Sequence, residues 1–183
     1  MSHQSIYFKA DVKRMLGKHK IRILHIWLSR SFIGVLLYRL ERSMYLALGK
    51  TYPLIRILFL PLILPMQSYS NIDIHYKAAI KGGLLILHPS VGCVISGAAY
   101  IGKNLTLVGG NVIGVKEDPS SHAFIIGDYC SLGANATILG PLKLGDYIKI
   151  GASACVVHNF LENNSTLIGV PARKIKKEYI VKN

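Results

Sequence analysis

Aliphatic side chains fall at Ile95, Ile101, Leu107 and Ile113, six residues apart. After a gap the same spacing resumes at Ile126, Leu132, Ile138, Leu144, Ile150 and Val156. Glycine directly follows Ile101, Ile113, Ile126, Leu132, Leu144 and Ile150. A period of six fits neither a helix nor a simple alternating strand. It fits one short strand and one turn per repeat, stacked into a solenoid whose recurring aliphatic side chain points inward. The small residue beside it lets the backbone turn without a clashing Cβ.

The first third of the chain has another rhythm. Between residues 6 and 68 apolar residues recur at three and four, which predicts helices, with Gly49 as a stop. Residues 52–65, "YPLIRILFLPLILP", form an apolar run interrupted by Arg56 and three prolines. The run is shorter than the roughly 20 apolar residues of a membrane span. Burial against the rest of the protein is the favoured reading, with a subunit interface or an interfacial anchor as alternatives. The expected fold class is α+β: a basic, apolar helical domain over residues 1–70, a parallel β-helix over 71–172 with a loop at 115–124, and a basic tail at 173–183.

Charge changes this picture in one respect. The net charge of +13 is concentrated at the front, where residues 1–68 carry eleven Lys/Arg against two acids, Asp11 and Glu41. Basic and apolar together suggest an anionic membrane surface or a polyanionic partner; a solvated helix surface is the plain alternative. No nucleic acid partner is expected. Cys93, Cys130 and Cys155 are odd in number and lack CxxC spacing, which speaks for a reducing compartment. The polar start "MSHQSIYFKADVKRM" has no apolar signal core. The expected location is therefore cytoplasmic, with peripheral contact at the cytoplasmic face of the membrane as an option.

The stretches "IGKNLTLVGGNVIG" and "IGDYCSLGANATILGPLKLGDYIKIGASACV" resemble the hexapeptide repeats of left-handed β-helix acyltransferases. The order of features resembles the serine acetyltransferase branch: a helical front, "DIHYKAAIKGG", a histidine fifteen residues after the aspartate, a looped-out coil with a second histidine, and "GVPARKI". The resemblance implies a left-handed solenoid and acetyl transfer from acetyl-CoA to a hydroxyl, with no metal. It implies His88 as general base, Asp73 as its orienting partner and His122 at the acceptor site. A base is needed because a neutral alcohol attacks a thioester poorly, and imidazole titrates near neutrality. The resemblance also places Gly114, Ala134 and Ala152 along the pantetheine arm. Arg173 and Lys174, with Lys176 and Lys177, would meet the nucleotide phosphates. It further implies a homotrimer, with pairing of trimers open. Fifteen residues is close to one 18-residue coil, so Asp73 and His88 are expected near one another.

Two positions depart from the family. Leu87 stands where serine acetyltransferases carry the aspartate that binds the ammonium, and Ser121 where they carry the arginine that binds the carboxylate. Both handles for a zwitterion are absent, and an unpaired buried ligand charge is costly. The acceptor expected from these absences is a sugar hydroxyl of a bacterial capsular or other surface polysaccharide. The alternatives are serine itself and a non-catalytic β-helix scaffold. A three-histidine zinc site at His75, His88 and His122 is disfavoured, since no HxxxxH pair occurs.

Overall fold

A computed structural model describes residues 3–18, 20–115 and 124–175. Three helices come first: α1 (His3–Leu16), α2 (Arg30–Leu48) and α3 (Tyr52–Ser70). Ser29 caps α2 by accepting from the Phe32 backbone N–H, and Gly49, at φ 58°, ends it where the sequence placed the stop. Short 3-10 segments at Lys20–Leu24 and Ile26–Leu28 join α1 to α2.

A parallel β-solenoid follows, with three faces. The first face stacks Ile74, Ile95, Ile113, Ile138 and Val156 in register, one from each successive coil. The second stacks Ile80, Ile101, Ile126 and Leu144. The third stacks Ile86, Leu107, Leu132, Ile150 and Leu167. The ten positions singled out by the six-residue spacing are each 3% exposed or less. Burying a Val, Leu or Ile side chain contributes about 1.5–3 kcal/mol, so these ladders are the chief source of cohesion. Thr166–Ile168 and Arg173–Lys174 pair antiparallel and close the far end.

The helices are hooked to the first coils by a buried polar hub. Arg39 donates to both Asp11 carboxylate oxygens, at 2.8 and 3.2 Å, and to the Ile80 and Lys81 carbonyls at 2.7 and 2.9 Å. Asp11 in turn accepts from the Gly83 and Leu84 backbone N–H groups, both at 2.7 Å. Burial pushes the Asp11 carboxyl up, opposed by the Arg39 guanidinium. Arg14 adds bonds to the Leu105 carbonyl and the Thr106 hydroxyl.

The expectation that residues 52–65 are buried is corrected. They are helical, but of the 19 residues of α3 only Tyr52, Ile63 and Ser70 are buried. One narrow face rests on α2, where Glu41 accepts from the Tyr52 hydroxyl and the Arg56 guanidinium.

Candidate active site

His88 owes its place to an irregularity. Along the first face, Ile95 and Ile113 are 18 residues apart, but Ile74 and Ile95 are 21 apart. The three extra residues form a 3-10 turn, Pro89–Val91, at the corner between the third and first faces, and His88 is its N-cap. The backbone is pinned by His88 N–H donating to the Val108 carbonyl at 2.8 Å, while the imidazole stands exposed. The first coil is thus 21 residues long, not 18, and Asp73 and His88 belong to the same turn. The coil neighbour of Asp73 is Val94.

Continuing the registers of Ile86, Leu107, Leu132 and Ile150 by two residues puts His88, Gly109, Ala134 and Ala152 in one column on this corner. Gly109 is at φ 142°, and a Cβ there would come within 2.3 Å of the His88 carbonyl oxygen. Buried Asn111 fixes this glycine: its Oδ1 accepts from Gly109 N–H at 2.9 Å, and its amide donates to the Gly133 and Ala136 carbonyls at 2.7 and 3.2 Å. The Ala134 carbonyl accepts from Ser153 N–H one coil on. Along the column, nothing larger than a methyl group stands beyond the imidazole. A slender thiol-ended arm fits such a track.

Two hollows flank the corner. One, of about 280 Å³, is lined by Ser29, Arg30, Ser31, Leu87, His88 and Ser90. The other, of about 250 Å³, contains Asp73 with Asn71, Gly92 and Val94. Asn71 bridges them by donating from its side chain to the Ser90 carbonyl at 3.0 Å. Among the described residues no hydrogen bond joins Asp73 to His88, and both are exposed. Each lines a different hollow, and the two hollows meet at the Asn71–Ser90 bond.

The remaining sequence candidates are dispersed. Gly114, on the strand Asn111–Val115, lies on the first face opposite Leu139 and is off the Ala134–Ala152 column. Lys174 is ion-paired with Glu162, and Arg173 is exposed beside it on the closing strand. His122, Ser121, Lys176 and Lys177 fall outside the described residues. His75 caps a turn, its Nδ1 accepting from Lys77 N–H at 3.1 Å, and its ring stacks on Tyr76. Burial, with Lys77 and Arg56 nearby, holds its pKa down.

Three residues at the corner escaped the sequence reading. Gly109 and Asn111 carry a faint signal, a Gly-Gly pair followed by a polar residue where an aliphatic strand begins. Arg30 carries none, because its position in the hollow depends on how α2 docks. Its guanidinium sits 5.8 Å from the centre of the Tyr69 ring.

No protein-family model matches the chain. A serine acetyltransferase of Mycobacterium tuberculosis is 33% identical over 112 residues, which is 58% of this chain and 46% of the relative. The chain thus spans about half the length of the curated relatives it matches. The crystal structure of the Neisseria gonorrhoeae serine acetyltransferase superposes with a TM-score of 0.78 at 27% identity, covering 94% of this chain and 66% of that one. The Brucella abortus serine acetyltransferase in complex with coenzyme A shares the fold at a TM-score of 0.72 and 24% identity, over 93% of this chain and 67% of that one. In sequence and in fold the chain is similar to serine acetyltransferases, and it shares with their structures a helical front followed by a parallel β-solenoid.

Proposed function

We propose that the chain is an acetyl-CoA-dependent O-acetyltransferase with His88 as its general base. The observation that carries this reading is the exposed imidazole on the inserted turn, at the head of the Gly109–Ala134–Ala152 column. The Brucella relative, by its name, holds coenzyme A, which supports acetyl-CoA as the donor. Bound acetyl-CoA supplies the acetyl group as a thioester. His88 takes the proton of the acceptor hydroxyl as its oxygen attacks the carbonyl carbon, and returns it to the sulfur as the carbon–sulfur bond breaks. Asp73, in the adjoining hollow, is assigned the role of favouring the imidazolium formed on the way. A groove between neighbouring subunits of a homotrimer is part of the proposal, as is cytoplasmic residence, where the three free cysteines stay reduced.

For the acceptor, the relatives weigh toward serine, which their names specify, more than toward a sugar hydroxyl. One observation sustains the sugar reading. The lining of the His88 hollow offers one cation, Arg30, and no carboxylate, while Leu87 presents an apolar side chain, 48% exposed, at the rim. An ammonium group finds no counter-charge among these residues, whereas a neutral or acidic saccharide needs none.

Thiol release from acetyl-CoA, with L-serine and a panel of saccharide and nucleotide-sugar acceptors, separates the readings. His88→Ala is expected to lower turnover by a factor of about 10²–10⁴ with whichever acceptor works, without shifting the melting temperature. Turnover with serine settles the acceptor for the relatives' reaction, and turnover with a saccharide alone for the other. Failure of every acceptor together with absence of coenzyme A binding overturns the acetyltransferase reading in favour of a scaffold.

A further inference from the structure

The least satisfied surface of the molecule is α3. Leu54, Leu58, Leu62, Pro65 and Tyr69 are spaced at four, four, three and four, so they form one face, and all are exposed. The face runs for about 22 Å without a charged group. Leu58 is 78% exposed. Exposed apolar strips of this extent mark a surface that something covers.

The strip continues past the end of α3. The Tyr69 hydroxyl donates to the Leu28 carbonyl at 2.7 Å, which docks the 3-10 segment Ile26–Leu28 beside it. Trp27 on that segment is 55% exposed. Arg30 lies over the Tyr69 ring, and Lys50 stands exposed just before α3 begins. An apolar strip with aromatic rings and cations at its margins has the make-up of an interfacial helix.

The charge around it names the occupant. The two acids of residues 1–68 are both withdrawn from the surface: Asp11 is sealed under Arg39, and Glu41 is buried against Tyr52 and Arg56. The helical region therefore shows solvent cations such as Lys9, Lys13, Lys18, Arg30 and Lys50, and no carboxylate. A second copy of the chain would bring the same positive surface against itself. An anionic lipid headgroup layer answers both the sign of the charge and the apolar strip.

We propose that α3, with Trp27 beside it, lies flat on an anionic phospholipid bilayer and docks the protein there. A spanning arrangement, which the length and apolar composition of the helical segment would allow, is opposed by the other side of the helix. There Tyr52 and Arg56 are tied to Glu41 of α2, and Asn71 leads directly into the first strand of the solenoid. Lying flat buries the exposed side and leaves these contacts intact.

Trp27 is the sole tryptophan of the chain and therefore a built-in reporter. The full chain is mixed with vesicles of phosphatidylcholine alone, and with vesicles of phosphatidylcholine and phosphatidylglycerol. Its emission and its co-sedimentation are followed at low and high salt. The expected result is a blue shift and co-sedimentation with the anionic vesicles, weakened by salt. Leu58→Glu combined with Leu62→Glu is expected to reduce affinity at least about tenfold, with an unchanged melting curve to show the fold intact. The proposal is overturned if neither vesicle shifts the emission, or if the double variant binds as the parent does. It is equally overturned if the shift follows protein concentration in buffer alone, since a second copy then covers the strip.

Discussion

The solenoid and the helical region treat their apolar residues in opposite ways. Ile95, Ile101 and Leu107 each take a place in a ladder whose next rung is another turn of the same chain, and the coil closes over them. Leu54, Leu58 and Leu62 are as apolar and as regularly spaced, yet they face outward. A solenoid coil creates the partner for its own side chains by repeating, so its core grows with each turn. A pair of antiparallel helices has one contact between them, and α2 and α3 spend theirs on Tyr52, Ile63 and the Glu41 cluster. Everything on the far side of α3 is left for an external partner. Cohesion in this protein is therefore supplied internally by the β part. The helical part is held by polar hooks together with a smaller apolar contact, in which Met15, Ile26, Val35 and Tyr38 join the solenoid core.

The largest effect is expected from cutting the main hook. In Arg39→Ala the Asp11 carboxylate stays buried with its guanidinium gone, and the Ile80 and Lys81 carbonyls lose their donor. Breaking a buried pair by removing one partner costs about 3–5 kcal/mol. Chemical unfolding should show that loss. The early phase should come from the helices, with proteolysis reaching α1 and α2 before the coils. Equal protection of both parts in the variant would show that the ladders, not the hub, hold the helices.

A smaller effect is expected inside a ladder. Ile138 is fully buried between Ile113 and Val156. Ile138→Ala removes its contacts to both neighbours and leaves a cavity, at about 2–5 kcal/mol. Because each coil rests on the next, the loss should be cooperative, lowering one transition seen by circular dichroism. A loss below about 1 kcal/mol would mean the ladder collapses around the gap.

The ladders were legible in the sequence because a coil of fixed length must repeat its inward residue at fixed spacing. The unbroken run of sixes starts at Ile95, and Ile74, Ile80 and Ile86 carry the same spacing but stand apart from it. The nine-residue step from Ile86 to Ile95 hid them, and that step contains the turn that projects His88. Irregularity and candidate site coincide there. His88 itself was found through its setting, whereas Arg30 and Asn111 were not. Their roles depend on which chain segment lies across from them, and Arg30 reaches the His88 hollow only through the docking of α2. The Asp11–Arg39 pair was equally silent, being 28 residues apart with no motif to connect them. The outward turn of α3 was misread for a related reason. An apolar run has the same letters whether its partner is the protein's own core or something outside it.

That ambiguity gives the smallest and most discriminating expectation. Leu58→Ala deletes a large apolar side chain, as Ile138→Ala does, but from a position that is 78% exposed. In the isolated chain it should change stability by less than about 0.5 kcal/mol, because the folded and unfolded states hydrate the leucine almost equally. The same substitution should weaken attachment to anionic vesicles, since the missing contacts are with the partner. A residue that is neutral to folding and costly to docking is one whose burial is supplied from outside. A loss of folding stability comparable to that of Ile138→Ala, measured at a concentration where the chain is monomeric, would place Leu58 in the protein's own core and erase the distinction between the two regions.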